Sequence, residues 1–250
     1  MKIKNVLVSQ PKPAEVEKSP YFLLAKKYKV NIDFHKFIKI EGIKAIDFRK
    51  DRIAILDHTA VIFTSRHAVD HFFRLAKEMR AEVPDTMKYF CVSEAIAFYL
   101  QKYVQYRKRK IFYGRQSFAQ LMEIIVKHKG ENFLLPCSDV AEVDLSKILK
   151  DNKINHSKAI MYQTVASDLL DVEIDKYDLL VFFSPSGVKS LFTNFPKYKQ
   201  GETLIGAFGP STCKAVEEAG LKLSIEAPTK SAPSMTMALE QYIENLMKTK

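Results

Sequence analysis

The sequence predicts an α/β fold of two related parallel-sheet domains, the first of them discontinuous and assembled from both chain ends. Three observations carry this. Short apolar, β-branched runs alternate with segments of helical period from end to end, the pattern of strands joined by crossover helices. Two long extended runs, over residues 31–41 and 158–166, leave one strand and one helix before the first and three strand-helix steps after the second. One strand and one helix are too few for a domain. The terminal pieces, 1–38 and 167–250, are therefore expected to join, with 42–157 inserted as a second domain and the two long runs as connecting strands. Finally, the alignment that carries Ser65 onto Ser184 also carries Val69 onto Val188 and Phe73 onto Phe192, and a similar shift carries Cys91-Val92-Ser93 onto Ala207-Phe208-Gly209. Two such matches in the same order point to duplication of one α/β unit.

The elements follow in order. Val6-Leu7-Val8 reads as the first strand, and Ser19-Pro20 opens a helix through Leu23, Leu24 and Tyr28, with serine as cap and proline in the first turn. Residues 31–40 alternate as one long strand. Ala60-Val61-Ile62-Phe63 has the continuous apolar character of a strand covered on both faces and leads into a helix over 66–80. Residues 89–92 lead into 94–103, 110–113 into 118–127, and 133–135 into 143–150, completing four β-α steps. After the second long run come 179–183 into 186–194, 204–208 into 212–220, and 221–225 into 234–247. The last helix has Ser231 and Ser234 as candidate caps and Pro233 near its start.

Of the 250 residues, 47% are hydrophobic, enough to bury a core, which excludes disorder. No apolar run approaches the roughly 20 residues that span a bilayer, and the start has no apolar h-region after its charges, so a soluble cytoplasmic protein with no membrane partner is expected. Lys+Arg number 39 against 29 Asp+Glu, and the net charge of +10 favours an anionic ligand. The three cysteines, Cys91, Cys137 and Cys213, lie far apart, form no C-x-x-C and have no His-x-x-x-His neighbour, so neither a disulfide nor a metal is expected.

Small or hydroxyl residues follow a strand and precede a helix five times: Thr64-Ser65, Ser93, Ser138, Ser184-Pro185-Ser186-Gly187 and Gly209-Pro210-Ser211-Thr212. Free N–H groups and the positive end of the helix dipole lie at such turns and hold carboxylates or phosphates. N-capping accounts for any one of them. Five at the carboxyl ends of strands, where open parallel sheets bind ligands, point to an anion-binding face. His67 and His71 stand at i and i+4, the spacing of a metal pair, but nothing nearby completes a site and a surface or capping role is expected. The basic run Tyr106-Arg107-Lys108-Arg109-Lys110 is short and lies between elements, so a solvated turn is expected there rather than a nucleic-acid contact. The chain has no G-x-G-x-x-G, Walker loop, G-x-S-x-G or H-E-x-x-H, which argues against nucleotide cofactors and the commonest hydrolase designs.

Several stretches together are distinctive: Val6-Leu7-Val8-Ser9-Gln10-Pro11, Phe63-Thr64-Ser65-Arg66-His67-Ala68-Val69, Met161-Tyr162-Gln163-Thr164, Ser184-Pro185-Ser186-Gly187-Val188, and Ala207-Phe208-Gly209-Pro210-Ser211-Thr212 with Glu217-Glu218-Ala219-Gly220-Leu221 and Ala227-Pro228-Thr229 after it. In their order and spacing the chain resembles the uroporphyrinogen-III synthase family over essentially its whole length. The resemblance implies two α/β domains joined by a two-stranded β-ladder. It also implies closure of hydroxymethylbilane, an anionic linear tetrapyrrole, to uroporphyrinogen III with inversion of ring D and loss of water, by a monomer with no metal or organic cofactor. By the same resemblance Tyr162 is the candidate catalytic residue, assisting departure of the substrate hydroxyl, with packing of the ladder as its other reading. Thr212, Ser184 and Ser65 match hydroxyl positions that bind substrate carboxylates, with Ser186, Ser93 and Ser138 beside them.

Three departures stand against the family pattern. Gln10-Pro11 replaces Arg-Pro, so that a charged contact is either absent or supplied by Lys12. Ser93-Glu94-Ala95-Ile96 replaces Gly-x-x-Thr, and Pro136-Cys137-Ser138-Asp139 replaces an Arg-Gly signal. Gln10 and Ile96 favour the alternative reading, a non-catalytic, partner-binding or regulatory relative of the fold.

Overall fold

The computed structural model describes residues 3–115, 117–140 and 145–248. It divides into two compact units, one formed by Met1–Lys39 and Val165–Lys250, the other by Ile40–Thr164. In chain order, β1 (Asn5–Val8) is followed by α1 (Pro20–Tyr28), β2 (Asn31–Phe34), β3 (Ile38–Gly42) and the short α2 (Ala45–Phe48). Then β4 (Ala60–Phe63), α3 (Arg66–Glu78), β5 (Lys88–Cys91), α4 (Glu94–Leu100), β6 (Ile111–Tyr113), α5 (Phe118–Val126), β7 (Phe133–Ser138) and α6 (Leu145–Asp151) alternate. The long β8 (His156–Ala166) precedes β9 (Leu179–Phe182), α7 (Pro185–Asn194), β10 (Leu204–Phe208), α8 (Pro210–Glu218), β11 (Ile225–Ala227) and α9 (Met235–Lys248). Residues 143 and 144 of the helix expected over 143–150 lie outside the described residues. Among the described residues no helix is long and apolar enough to cross a membrane.

The first unit is a parallel sheet in the order β11-β10-β9-β1-β2, and the second is ordered β3-β8-β7-β4-β5-β6, parallel from β8 to β6. Alternation along each central strand sends side chains to two different cores. Val61 and Phe63 of β4 enter the cluster beneath α3, while Ala60 and Ile62 enter the one beneath α5. In the first unit, Val6 and Val8 pack towards α1 and α9, and Leu7 towards α7 and α8. The duplicated pattern is visible in the turns. Ser65 and Ser184 are both extended N-caps whose hydroxyls accept from the third residue onward, Ala68 N–H at 3.0 Å and Gly187 N–H at 3.1 Å.

The run over 31–40 is two strands rather than one. Phe37 is buried, its ring edge-on to Phe182, and its carbonyl accepts from Ser190 Oγ at 2.5 Å and Ser167 N–H at 2.8 Å. Those bonds hold the Phe37 backbone in the first unit and interrupt the extended run, so that β2 pairs in one sheet and β3 in the other. Ser190→Ala removes one of the two donors and is expected to lower stability by about 1 kcal/mol, read as a shift of the urea midpoint at constant slope. The strand expected over 221–225 is also displaced, to Ile225–Ala227. The Gln200 side-chain amide binds both the N–H of Lys222 (2.7 Å) and its carbonyl (3.0 Å), taking that residue out of the ladder.

The second connecting strand, β8, has β7 on one side and β3 on the other, so the ladder is part of the six-stranded sheet. Its register against β7 slips between Cys137, opposite Ile160, and Ser138, opposite Tyr162. A bulge of this kind adds a residue on one strand. Here the added residue is Met161, and as a result Met161 and Tyr162 are consecutive yet enter the same core.

Candidate functional site

In each sheet the chain steps outward in both directions from one pair of neighbouring strands: β1 and β9 in the first unit, β4 and β7 in the second. Such switch points open a crevice beyond the carboxyl ends of the strands, where ligands of open parallel sheets bind. In the second unit the residues there are Thr64 and Ser65 after β4 and Ser138 at the end of β7, with Tyr162 opposite Ser138 on β8.

Ser65 Oγ lies 3.0 Å from Tyr162 OH while accepting from Ala68 N–H. A serine hydroxyl has one proton and two lone pairs, so it serves both partners at once. Tyr162 is 7% exposed, and burial raises its pKa above the usual 10.0, against the opposing effect of the Ser65 hydrogen bond. At neutral pH the phenol is a proton donor.

The ring of Tyr162 lies against both histidines of α3. His71 is stacked on it, with centroids 5.1 Å apart and planes at 17°, and His67 is tilted at 6.1 Å. The pair for which the sequence suggests a surface or capping role thus lines the phenol. Among the described residues no group of three or more His, Cys, Asp or Glu is placed to hold a metal ion. Burial first, then the positive charges of Arg74 and His67, lowers the His71 pKa below its usual value. Arg74 Nε donates to His71 Nδ1 at 3.1 Å, which leaves the ring proton on Nε2.

Two further features involve residues of α3. Asp70 accepts from Tyr99 (2.8 and 2.9 Å) and Tyr103 (2.5 Å). Burial works against its charge, but those bonds and Lys102 outweigh it and hold the carboxyl below its usual pKa. The exposed Arg66 guanidinium sits over the Tyr99 ring at 5.3 Å, a cation held beside Ser65. Next to it, a cavity of about 710 Å³ is lined by Thr64, Ser93, Glu94, Ile96, Tyr113 and Arg115 among others. Ser93 occupies the N-cap position of α4 without a side-chain capping bond, so its hydroxyl is available to that cavity.

The other predicted residues are placed as follows. Ser138 Oγ donates to Asp139 Oδ1 (2.9 Å) and accepts from Val140 N–H (3.3 Å), closing its own turn. In the first unit, Ser184 caps α7, and Ser186, half-buried, is the second residue of that helix. Lys12 is exposed in the loop after β1. Thr212 is the third residue of α8, 1% exposed, with its N–H on the Gly209 carbonyl at 3.0 Å. Gly209, at φ 90°, makes the tight entry to that helix. Ile96, its counterpart in the repeat, is the third residue of α4 and is buried in the core cluster beneath α3 and α4. The basic run ends in the turn before β6, where the Lys110 carbonyl accepts from Tyr89 N–H at 2.7 Å.

Sequence reasoning misses Arg66, His71 and Arg74 as site residues. Their spacing on one helix is visible, but no local signal tells which residues of other elements they meet.

The sequence profile of one family, described as Uroporphyrinogen-III synthase HemD, matches residues 32–237. No curated protein sequence matches the chain significantly. Among solved structures it is similar to uroporphyrinogen-III synthetase from Helicobacter pylori, at 16% identity and TM-score 0.58, over 97% of this chain and 100% of that one. It is also similar to a mutant uroporphyrinogen III synthase from the extremely thermophilic bacterium Thermus thermophilus, at 14% identity and TM-score 0.50, over 97% and 99% of the two chains. At such identities the likeness is one of fold.

Proposed function

The chain belongs to the uroporphyrinogen-III synthase family, and from that premise we propose that it closes hydroxymethylbilane to uroporphyrinogen III, with Tyr162 acting on the departing hydroxyl. The observation that carries this reading is the Tyr162–Ser65 pair, a buried phenol hydroxyl held at the carboxyl end of the sheet. Its O–H donates to the hydroxyl oxygen of the linear tetrapyrrole. The C–O bond breaks with its electron pair on oxygen, and the oxygen leaves as water. The substituted carbon of ring D attacks the methylene cation left behind, and closure with inversion of that ring releases a proton that balances the one departing with the water. Most of the acceleration is positional, since the activated chain must be held so that this carbon is the one attacked.

Each pyrrole of that substrate bears acetate and propionate groups, and the net charge of +10 suits them. We assign Ser65, Ser93, Ser184, Ser186 and Thr212 to carboxylate binding, with Lys12 and Arg66 as exposed cations and Ser138 holding the turn opposite Tyr162. The reaction requires no metal or organic cofactor, and the enzyme acts as a cytoplasmic monomer.

The test is turnover of hydroxymethylbilane with the product isomer determined. Uroporphyrinogen I alone, at the spontaneous rate, would reject this reading in favour of a non-catalytic relative. A narrower prediction concerns Thr212→Val, which keeps the volume and removes the hydroxyl. It is expected to weaken product affinity and turnover together by roughly tenfold, about the value of one hydrogen bond to a charged group. Wild-type affinity by calorimetry would return Thr212 to core packing, the role Ile96 has in the other unit.

A further inference from the structure

Tyr162 sits at the centre of a closed set of contacts. Arg74 Nη1 donates to Glu78 at 2.8 Å, and Nη2 donates to the carbonyls of Ile43 at 2.8 Å and Met161 at 3.3 Å. Its Nε holds His71 Nδ1, and the imidazole is stacked on Tyr162. One guanidinium therefore grips the bulged residue immediately before Tyr162 and also the ring on which the phenol lies. Space for it is left by Gly42, where a Cβ would fall 2.5 to 2.7 Å from the guanidinium atoms.

We propose that His71 is a positioning residue for Tyr162, its imidazole being the platform that keeps the phenol hydroxyl on Ser65. Ser65 fixes only the tip of the side chain, and the core packs one face of its ring, which leaves the ring free to tilt towards the other. A flat ring packed in parallel removes that freedom on one face, and Arg74 removes the freedom of the platform. The guanidinium is always charged and is a donor only, so Nδ1 stays unprotonated for as long as that bond exists. The charged and titratable groups around the imidazole are Arg74, His67, Asp70 and Glu78 on α3 and Tyr162 on β8. The inference rests on the catalytic reading of Tyr162, and the measurements below separate the failure of one from the failure of the other.

The experiment is a double-mutant cycle on the full chain, measuring kcat and KM with hydroxymethylbilane. His71→Ala is expected to lower kcat about fivefold with KM nearly unchanged, and to do nothing further in the Tyr162→Phe background, where there is no hydroxyl left to position. His71→Phe, which keeps a flat ring, should recover part of the loss. Gly42→Ala, which displaces only the end of the Arg74 side chain, should reproduce the kcat loss while touching neither ring.

A second readout needs no turnover. With 13C-labelled tyrosine, assigned by subtraction of Tyr162→Phe, the phenol of Tyr162 should titrate at lower pH in His71→Ala as it comes off Ser65 into solvent. Equal kcat losses from His71→Ala in both backgrounds would overturn the proposal, as would an unchanged titration. A fully active Tyr162→Phe would remove the catalytic reading instead, leaving the titration to decide whether His71 holds the ring.

Discussion

Tyr162→Phe is expected to lower turnover about tenfold and leave product affinity nearly unchanged, since it removes one hydrogen bond that strengthens as the substrate hydroxyl departs, worth roughly 1–2 kcal/mol. The ring stays between His71 and the core, so the variant should fold as the wild type does. The pH profile supplies an independent check. Burial raises the phenol pKa above 10.0, and only the protonated form donates, so wild-type kcat should hold through neutral pH and past 10. It should fall only as pH rises through the raised value. The phenylalanine variant should lack that alkaline limb. Full activity for Tyr162→Phe would return the tyrosine to packing of the sheet edge.

Phe63→Ala should have the largest effect on stability. Phe63 is fully buried at the end of β4, stacked on Tyr89 at 6.1 Å and 10° and edge-on to Phe72 at 5.5 Å. Truncating such a ring loses its transfer free energy and leaves a cavity, together roughly 3–5 kcal/mol, a large part of the about 5–15 kcal/mol by which domains are stable. Calorimetry should show a transition lowered on the order of 10 °C. Hydrogen exchange should place the weakening in Ile40–Thr164, with β9 and β10 keeping more of their protection because Leu179, Val181 and Ile205 pack in separate clusters. Uniform loss of protection across both units would contradict that localisation. Phe63 also precedes Thr64 and Ser65 directly, so the variant should lose turnover before it loses its fold.

The strand-turn-helix steps are legible because each is written locally. A buried apolar run, a capping serine and an amphipathic stretch lie within about fifteen residues, as at Val61, Ser65 and Phe72 or at Leu180, Ser184 and Leu191. The break at Phe37 is not legible, because it depends on Ser190 and Ser167, far away in sequence. The bulge at Met161 escapes for a related reason: alternation predicts that Met161 and Tyr162 face opposite sides, and only the partner strand shows the slip. In the site, the sequence singles out Ser65 and Tyr162, but not their hydrogen bond. The histidines on α3 look like an incomplete metal pair because spacing on a helix says what neighbours what, not what faces it. Ser138 and Thr212 look like free hydroxyl groups at helix starts. One is engaged in its own turn and the other is almost wholly covered from solvent, a difference that tertiary packing alone decides.

The position of β1 between β9 and β2 bears on how the protein is made. A ribosome adding about 5–20 residues per second delivers β9 roughly ten to thirty seconds after β1, because the whole of the second unit is translated in between. During that interval Ile40–Thr164 has every strand it needs, whereas the nascent β1 has only β2 and α1 beside it and an unpaired edge carrying Val6, Leu7 and Val8. The expected order of assembly is therefore inserted unit first. The amino-terminal segment then waits as an aggregation-prone half-sheet, a natural client for a chaperone, until the last third of the chain emerges to complete it.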